Sequence, residues 1–388
     1  MIHATLLSPE HETFRTTLRA FIQKEILPYV DQWEKQQQID RSIWKKMGEM
    51  GYLGLIYPDA YGGLDLDFYY SMIFCEELSY CFSGGFTISA LVIQFMSAPY
   101  LHKFASEALK QRYLKSVIAG DMVSAIAITE PGAGSDVQNI RTTAVQQGEH
   151  YLINGSKTFI TNGVYGDFFI TAVKTNPDKR SKGISLILID RHAAGVRAHK
   201  IEKMGWHASD TAELTFDNVK VPLSNLIGEE GAGFSYLMDG LQLERLTAAI
   251  NSIATSESAL QYTMEYINVR EAFGKKLHDF QVIRHRIAQM VADIKTTKAF
   301  VNHCCDLQNS GQYAVEECSI AKLQANELAI SIVHQCLQLF GGYGFTEDYK
   351  IARLYRDVRA GTIIGGTSEI MLEIIAKMVI DNVSYNKK

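Results

Sequence analysis

The feature that most constrains this chain is a change of period that occurs twice. Over residues 9–120 the apolar side chains recur at helical spacing. The run SPEHETFRTTLRAFIQKEIL opens on Ser8 with acidic residues in its first turn, a helix start. Gly, Pro and Asp clusters such as YPDAYGGLD (57–65) break the pattern. From about Val123 it becomes short and β-rich: SAIAIT, YLING, FFITAVKT, GISLILID and AELTFDNVKV, separated by Gly, Asn and Asp as in hairpins. This stretch ends near Pro222. After GEEGAGF (228–234) long helical periodicity returns and runs to the C-terminus, interrupted only at 341–346 and 361–368. The order helical, β, helical contains no βαβ alternation and no internal repeat, so it argues against a doubly wound nucleotide-binding fold. With 388 residues available, it predicts an α+β multidomain chain of three domains, over 1–121, 122–230 and 231–388.

Composition removes several function classes. The 38 basic and 43 acidic side chains give a net charge of -5, leaving no basic excess to grip a nucleic-acid backbone. The six cysteines form no CxxC pair and read as reduced core thiols of a cytosol-like compartment. No metal-ligand spacing, HExxH, GxSxG or P-loop occurs, so no metal site is expected. The opening MIHATLLSPEHETF lacks a basic region, and no signal or transit peptide is read there. Leu78 to Leu101 carries no charge, but its serines, threonine, glycines and Pro99 favour a helix buried inside the protein over a membrane span.

Three stretches carry chemistry. In ITEPGAGSD (128–136), Pro131 ends the preceding strand and Gly132 and Gly134 let backbone amides approach a ligand closely. Thr129 and Ser135 add hydroxyls, so the loop can cradle phosphate or a polar ring edge, or be only a turn. In GGTSE (365–369), hydroxyls at a helix start follow two glycines, which makes either an anion site or a simple cap. The third signal is on the helix that begins near Gly233. At about 100° per residue, with Leu237 at 0°, Leu241 falls near +40°, Ala248 near +20°, Phe234 near +60° and Glu244 near −20°. Glu244 therefore lies within the apolar stripe, while Arg245 points about 100° away. A carboxylate placed there is paired, protonated or employed in chemistry.

Six segments in order, ITEPGAGSD, NGSKTFITNG (154–163), KMGWHASDTAELTFDNVKVP (203–222), REAFGK (270–275), QLFGGYGF (338–345) and GGTSE, resemble the acyl-CoA dehydrogenase family over nearly the whole chain. The resemblance implies an N-terminal helical domain, a middle β-barrel and a C-terminal four-helix bundle. It implies FAD held by Ile126, Ile128, Thr129, Gly134, Ser135, Phe159, Ile160 and Thr161, with Thr367 and Glu369 as further contacts. Arg270, Phe273, Gln281, Gln338 and Gly342 match residues that reach the FAD of a neighbouring subunit, and Gly341 is a further cofactor contact. A homotetramer, a dimer of dimers, is the implied assembly. Acyl-CoA is the implied substrate, held by Ser135, Leu241, Arg245, Ile364, Gly365 and Gly366. Electron-transfer flavoprotein is the implied electron acceptor, in bacterial cytoplasm or a mitochondrial matrix.

One departure selects the catalytic group. Most family members carry the catalytic Glu just before the GTS motif, where this chain has Gly365. The isovaleryl and long-chain types place it in an ERL motif on the first helix of the C-terminal domain, and here Leu243-Glu244-Arg245-Leu246 occupies that place. The helical wheel and the resemblance thus point to the same residue as the base for α,β-dehydrogenation of an acyl-CoA, with a medium-to-long-chain or branched acyl group expected. A flavin oxidase or monooxygenase, an acyl carrier protein-linked dehydrogenase and a catalytically lapsed scaffold are the alternatives.

Overall fold

The computed structural model describes residues 7–385, so the first six residues of the opening segment and the last three of the C-terminal region lie outside it. Helix α1 (Pro9–Phe21) starts on Ser8, whose hydroxyl accepts from the His11 amide while the Ser8 amide donates to His11 Nδ1. That reciprocal cap satisfies two of the orphan amides every helix start leaves. Helices α2 (Val30–Gln36), α3 (Ser42–Glu49), α4 (Phe68–Leu78), α5 (Gly84–Leu91), α6 (Ala98–Phe104), α7 (Glu107–Leu109) and α8 (Lys115–Ile118) complete the N-terminal region. A π-helical turn, Val92–Ser97, joins α5 to α6. The resulting rod Gly84–Phe104 is apolar and long enough to cross a membrane, yet every residue from Gly85 to Leu101 is buried inside the protein. Its hydroxyls are hydrogen-bonded inside the protein, as Ser97 is to the Val92 carbonyl at 2.8 Å and Ser89 to the Ser209 hydroxyl at 3.1 Å.

The β-rich stretch forms one sheet from β1 (Ser124–Ala127), β2 (Thr143–Gln147), β3 (His150–Thr161), β4 (Phe168–Lys174), β5 (Ile184–Asp190), β6 (Val196–Lys200), β7 (Thr211–Pro222) and β8 (Leu226–Ile227). The order is β6-β7-β3-β2-β4-β5-β8, with β1 parallel to β4. The halves pair as strands only where Thr143 of β2 meets Lys174 of β4, and the pairing path is open at β6 and β8. Strand β7 alternates buried and exposed positions over most of its length, whereas β4 is buried at every position because the helical domains cover its outer face.

Helices α9 (Gly233–Val269), α10 (Gln281–Asn309), α11 (Val315–Phe340), α12 (Lys350–Asp357) and α13 (Ser368–Val379) form the C-terminal region. The helical pattern is broken at two places beyond those the periodicity predicts. A hairpin, β9 (Glu271–Ala272) with β10 (Lys275–Lys276), separates α9 from α10, and residues 310–314 separate α10 from α11. The hairpin turns on Phe273 and Gly274, at φ 53° and 77°, the left-handed pair a two-residue turn requires. The stretch REAFGKKLHDF has one glycine and no proline, so its turn signal is weak. Helix α9 is central: it packs against α4, α10 and α11, and buries polar residues such as Gln242 and Thr247 as well as apolar ones.

Candidate active site

Glu244 lies a third of the way along α9 and keeps only 8% of its surface exposed. The one hydrogen bond to its side chain among the described residues comes from the Tyr100 hydroxyl on α6, 2.9 Å from Oε1. Burial pushes the Glu244 carboxyl up to about 7, against the opposing pull of Tyr100 and Arg245. A carboxyl near pH 7 can hold or release a proton at physiological pH, which a surface glutamate cannot.

Arg245 is equally buried, yet it forms no ion pair with Glu244 or with any other carboxylate among the described residues. Its Nη1 donates to Ser319 Oγ at 3.4 Å, and its Nε has no partner. Lys322 of α11 is buried nearby and donates to the Gly366 carbonyl. Burial, and then the charge of Arg245, push this amine down to about 8. The one-face wheel placed Glu244 inside correctly but gave no sign that Arg245 and Gln242 are buried with it. The reason is that α9 has neighbours on several sides.

A cavity begins one turn beyond Glu244. Its α9 wall is Ala248, Asn251, Ser252 and Thr255, the positions that continue the Glu244 face at helical spacing. The opposite wall is Gly84, Thr87, Ile88 and Leu91 of α5, and Val358, Gly361 and Ile364 close the side. Polar groups of the lining are engaged elsewhere: Asn251 donates to Ser79 Oγ at 2.8 Å, Ser252 to Asn326 at 2.9 Å and Ser83 to Glu34 at 2.5 Å. The Asp357 carboxylate accepts the Gly84 and Trp206 amides at 3.0 and 2.6 Å. The space is therefore bounded mainly by groups with no hydrogen bond left to offer, which suits an aliphatic chain.

The other expected residues fall into three places. Thr129, Gly134 and Ser135 lie on the loop after β1, with Ile126 on β1 itself and Ile128 following it. The Thr158 amide donates to the Thr129 carbonyl at 2.9 Å, and Lys157 Nζ to the Ile128 carbonyl at 2.9 Å, so this loop sits beside Phe159, Ile160 and Thr161 at the end of β3. Phe159 stands 66% exposed at φ 61°. A second hollow is lined by Arg270, Gln338, Gly341 and Gly342, with Tyr266 and Tyr343. Phe273 and Gln281 flank it on the hairpin and the start of α10 without lining it. Within one chain this hollow is separate from the β1–β3 loop. Gly365, Thr367 and Glu369 stand at the start of α13, where the Thr367 hydroxyl accepts the Ile370 amide at 3.3 Å, whereas Leu241 lies on α9 one turn before Arg245.

Tyr100 was missed because nothing in an uncharged helix marks one tyrosine as a ligand of a distant carboxylate. The usable signal was Gly240, a glycine one turn before Glu244 in the middle of a helix, which marks a close approach.

Models of the acyl-CoA dehydrogenase N-terminal, middle and C-terminal domains match residues 8–121, 125–219 and 231–380. The long-chain specific acyl-CoA dehydrogenase of Sus scrofa mitochondria is 40% identical over 380 residues, 97% of this chain and 87% of that protein. The crystal structure of an acyl-CoA dehydrogenase from Geobacillus kaustophilus superposes with a TM-score of 0.95 at 42% identity, covering 97% of this chain and 100% of that one. A glutaryl-CoA dehydrogenase from Mycobacterium smegmatis, solved in complex with FADH2, superposes with a TM-score of 0.91 at 27% identity, covering 98% and 97%. Sequence, domain order and backbone agree, and the chain belongs to the acyl-CoA dehydrogenase family.

Proposed function

We propose that this enzyme carries out the α,β-dehydrogenation of an acyl-CoA thioester to the trans-2-enoyl-CoA, with Glu244 as the base. The observation that carries the reading is a carboxyl buried without an ion pair, one helical turn from a cavity with an aliphatic character. An ordinary glutamate is far too weak a base for a proton next to a thioester. Burial already narrows that gap, and a bound acyl chain that displaces the remaining water narrows it further. Glu244 takes the α-proton while the electrons of that C–H bond form the new double bond. Ile364 lines that cavity and Arg245 neighbours Glu244 on α9; together with Leu241, Gly365, Gly366 and Ser135 they would hold the thioester end.

The residues expected to hold FAD fit such a group. A Cβ on Gly132, Gly134, Gly341 or Gly342 would meet nothing within 4 Å, so the loop after β1 and the second hollow both present bare backbone to a ligand. Ile126, Ile128, Thr129, Ser135, Phe159, Ile160, Thr161, Thr367 and Glu369 would hold it in one chain. Arg270, Phe273, Gln281, Gln338 and Gly342 would reach it from a neighbour. When bound, FAD supplies the acceptor for the hydride that leaves the β-carbon. A homotetramer accounts for Phe273 and Phe345 standing 96% and 94% exposed beside the second hollow in the single chain. Electron-transfer flavoprotein is the acceptor the family resemblance implies, in bacterial cytoplasm or mitochondrial matrix.

A medium-to-long acyl chain fits the long-chain specificity named for the Sus scrofa relative. The α9 wall of the cavity runs from Ala248 to Thr255, seven positions or about 10 Å at 1.5 Å per residue, and Glu244 stands one turn before it. The reading is tested by Glu244→Gln, which should stay yellow and lose at least about a hundredfold in turnover. Normal turnover in that variant would overturn it. A panel of acyl-CoAs scored by flavin bleaching should peak at medium to long chains.

A further inference from the structure

Tyr100 and Glu244 belong to different domains. Tyr100 stands on α6 and is 1% exposed, Glu244 stands on α9 and is 8% exposed, and the phenol hydroxyl reaches Oε1 at 2.9 Å. The contact depends on residue 240 being glycine, because a Cβ there would lie 2.2 Å from the Tyr100 oxygen. The phenol has a single proton to donate, and it is committed to this carboxylate. Oε2 has no hydrogen-bond partner among the described residues. One oxygen is thus anchored and the other is left for a ligand.

We propose that Tyr100 is the positioning residue of the base: its hydroxyl holds one oxygen of Glu244 so that the other is presented to the α-carbon of the bound acyl chain. The proposal rests on the reading of Glu244 as base. Charged and titratable groups facing Glu244 are few. Tyr100 approaches from α6 and Arg245 flanks it on α9. Asp239 acts on Tyr100 and is ion-paired with Lys103 at 2.6 Å. Lys322 of α11 and Tyr313 act on Arg245 rather than on the carboxyl. Tyr100 is therefore the only direct hydrogen-bond donor to the Glu244 side chain among the described residues.

Tyr100→Phe keeps the ring in its slot and removes only the hydroxyl. Gly240→Ala keeps the hydroxyl and pushes it off the carboxylate, so it provides an independent variant if the first folds poorly. In the flavin-loaded enzyme, the carboxyl band that Glu244→Gln deletes from the infrared spectrum is titrated directly. Both variants should raise its midpoint by about one unit, the scale of a lost hydrogen bond to a charged group. Turnover at pH 7 should fall about fivefold to tenfold and recover above about pH 9, with KM and flavin content unchanged. An unshifted midpoint and an unshifted pH profile in both variants overturn the proposal. If Glu244→Gln turns over normally while the midpoints still shift, the base reading fails and the hydrogen bond stands. If Glu244→Gln is dead and nothing shifts, the base stands and the role of Tyr100 fails.

Discussion

Two glutamates in this protein are buried to nearly the same extent, 7% exposed for Glu130 and 8% for Glu244, and they behave oppositely. Glu130, in the loop after β1, bonds to Lys157 Nζ at 2.8 Å and accepts the Arg141 and Thr142 amides at 2.5 and 3.0 Å. Burial works to raise its pKa, but Lys157 and these donors hold it below the ordinary value. Glu244 has one neutral donor, and burial wins. The difference teaches that burial only sets the cost of the charge; the partner set decides whether a carboxylate is a fixed anion or a group that exchanges protons. Glu130 is a structural anion that pins the loop against β3. Glu244, with no cation bonded to it, suits the role of base proposed for it.

The largest effect comes from making the first site resemble the second. Lys157→Met leaves Glu130 buried without its cation and should cost about 3–5 kcal/mol in denaturant unfolding, with the Glu130 midpoint rising instead of falling. An unchanged unfolding midpoint would mean that the backbone amides alone hold the anion.

Next in size is the pH dependence of stability, which has opposite signs at the two sites. The Glu244 pKa rises on folding from 4.5 to about 7, so the folded state holds that proton more tightly. Its contribution is greatest below about pH 4.5 and declines as pH rises to 7, by about 3 kcal/mol in all. Glu130 contributes stability above the ordinary carboxylate range and loses it as pH falls through its lowered value. Glu244→Gln should therefore differ from the parent by a stability difference that changes across pH 4.5–7, read from urea unfolding at each end. A flat difference would contradict the raised value.

The smallest effect sharpens the comparison with a third, open position. Gly365 is exposed at φ 62°, and a Cβ there would meet nothing within 4 Å. Gly365→Glu should cost about 1–2 kcal/mol for the left-handed backbone alone. Combined with Glu244→Gly, it should restore part of the flavin bleaching by substrate under anaerobic conditions. No bleaching would mean that this position cannot present a base in the present backbone.

Much of this was legible along the chain. The two changes of hydrophobic period separate helical from β regions because side-chain spacing is a local property of each element. The capping hydroxyl at Ser8, the loop set by Pro131 and the helix start at Thr367 are local in the same sense. Glu244 was legible because a charge among apolar neighbours on one helix is visible without knowing what covers it. The 270–280 hairpin was not legible, since its turn rests on a positive φ at Phe273 that no residue type announces.

What the chain could determine alone was the order of elements, the family likeness and the identity of the inward-facing acid, because each depends on residues within a few turns of one another. Only the tertiary structure decided that Glu244 meets Tyr100 rather than Arg245, that Glu130 meets Lys157, and that α5 and α9 leave a cavity between them. Those are contacts between side chains up to 144 positions apart. Such contacts are set by how whole helices and strands pack, and packing, not spacing, fixes how water and charge reach a buried carboxyl.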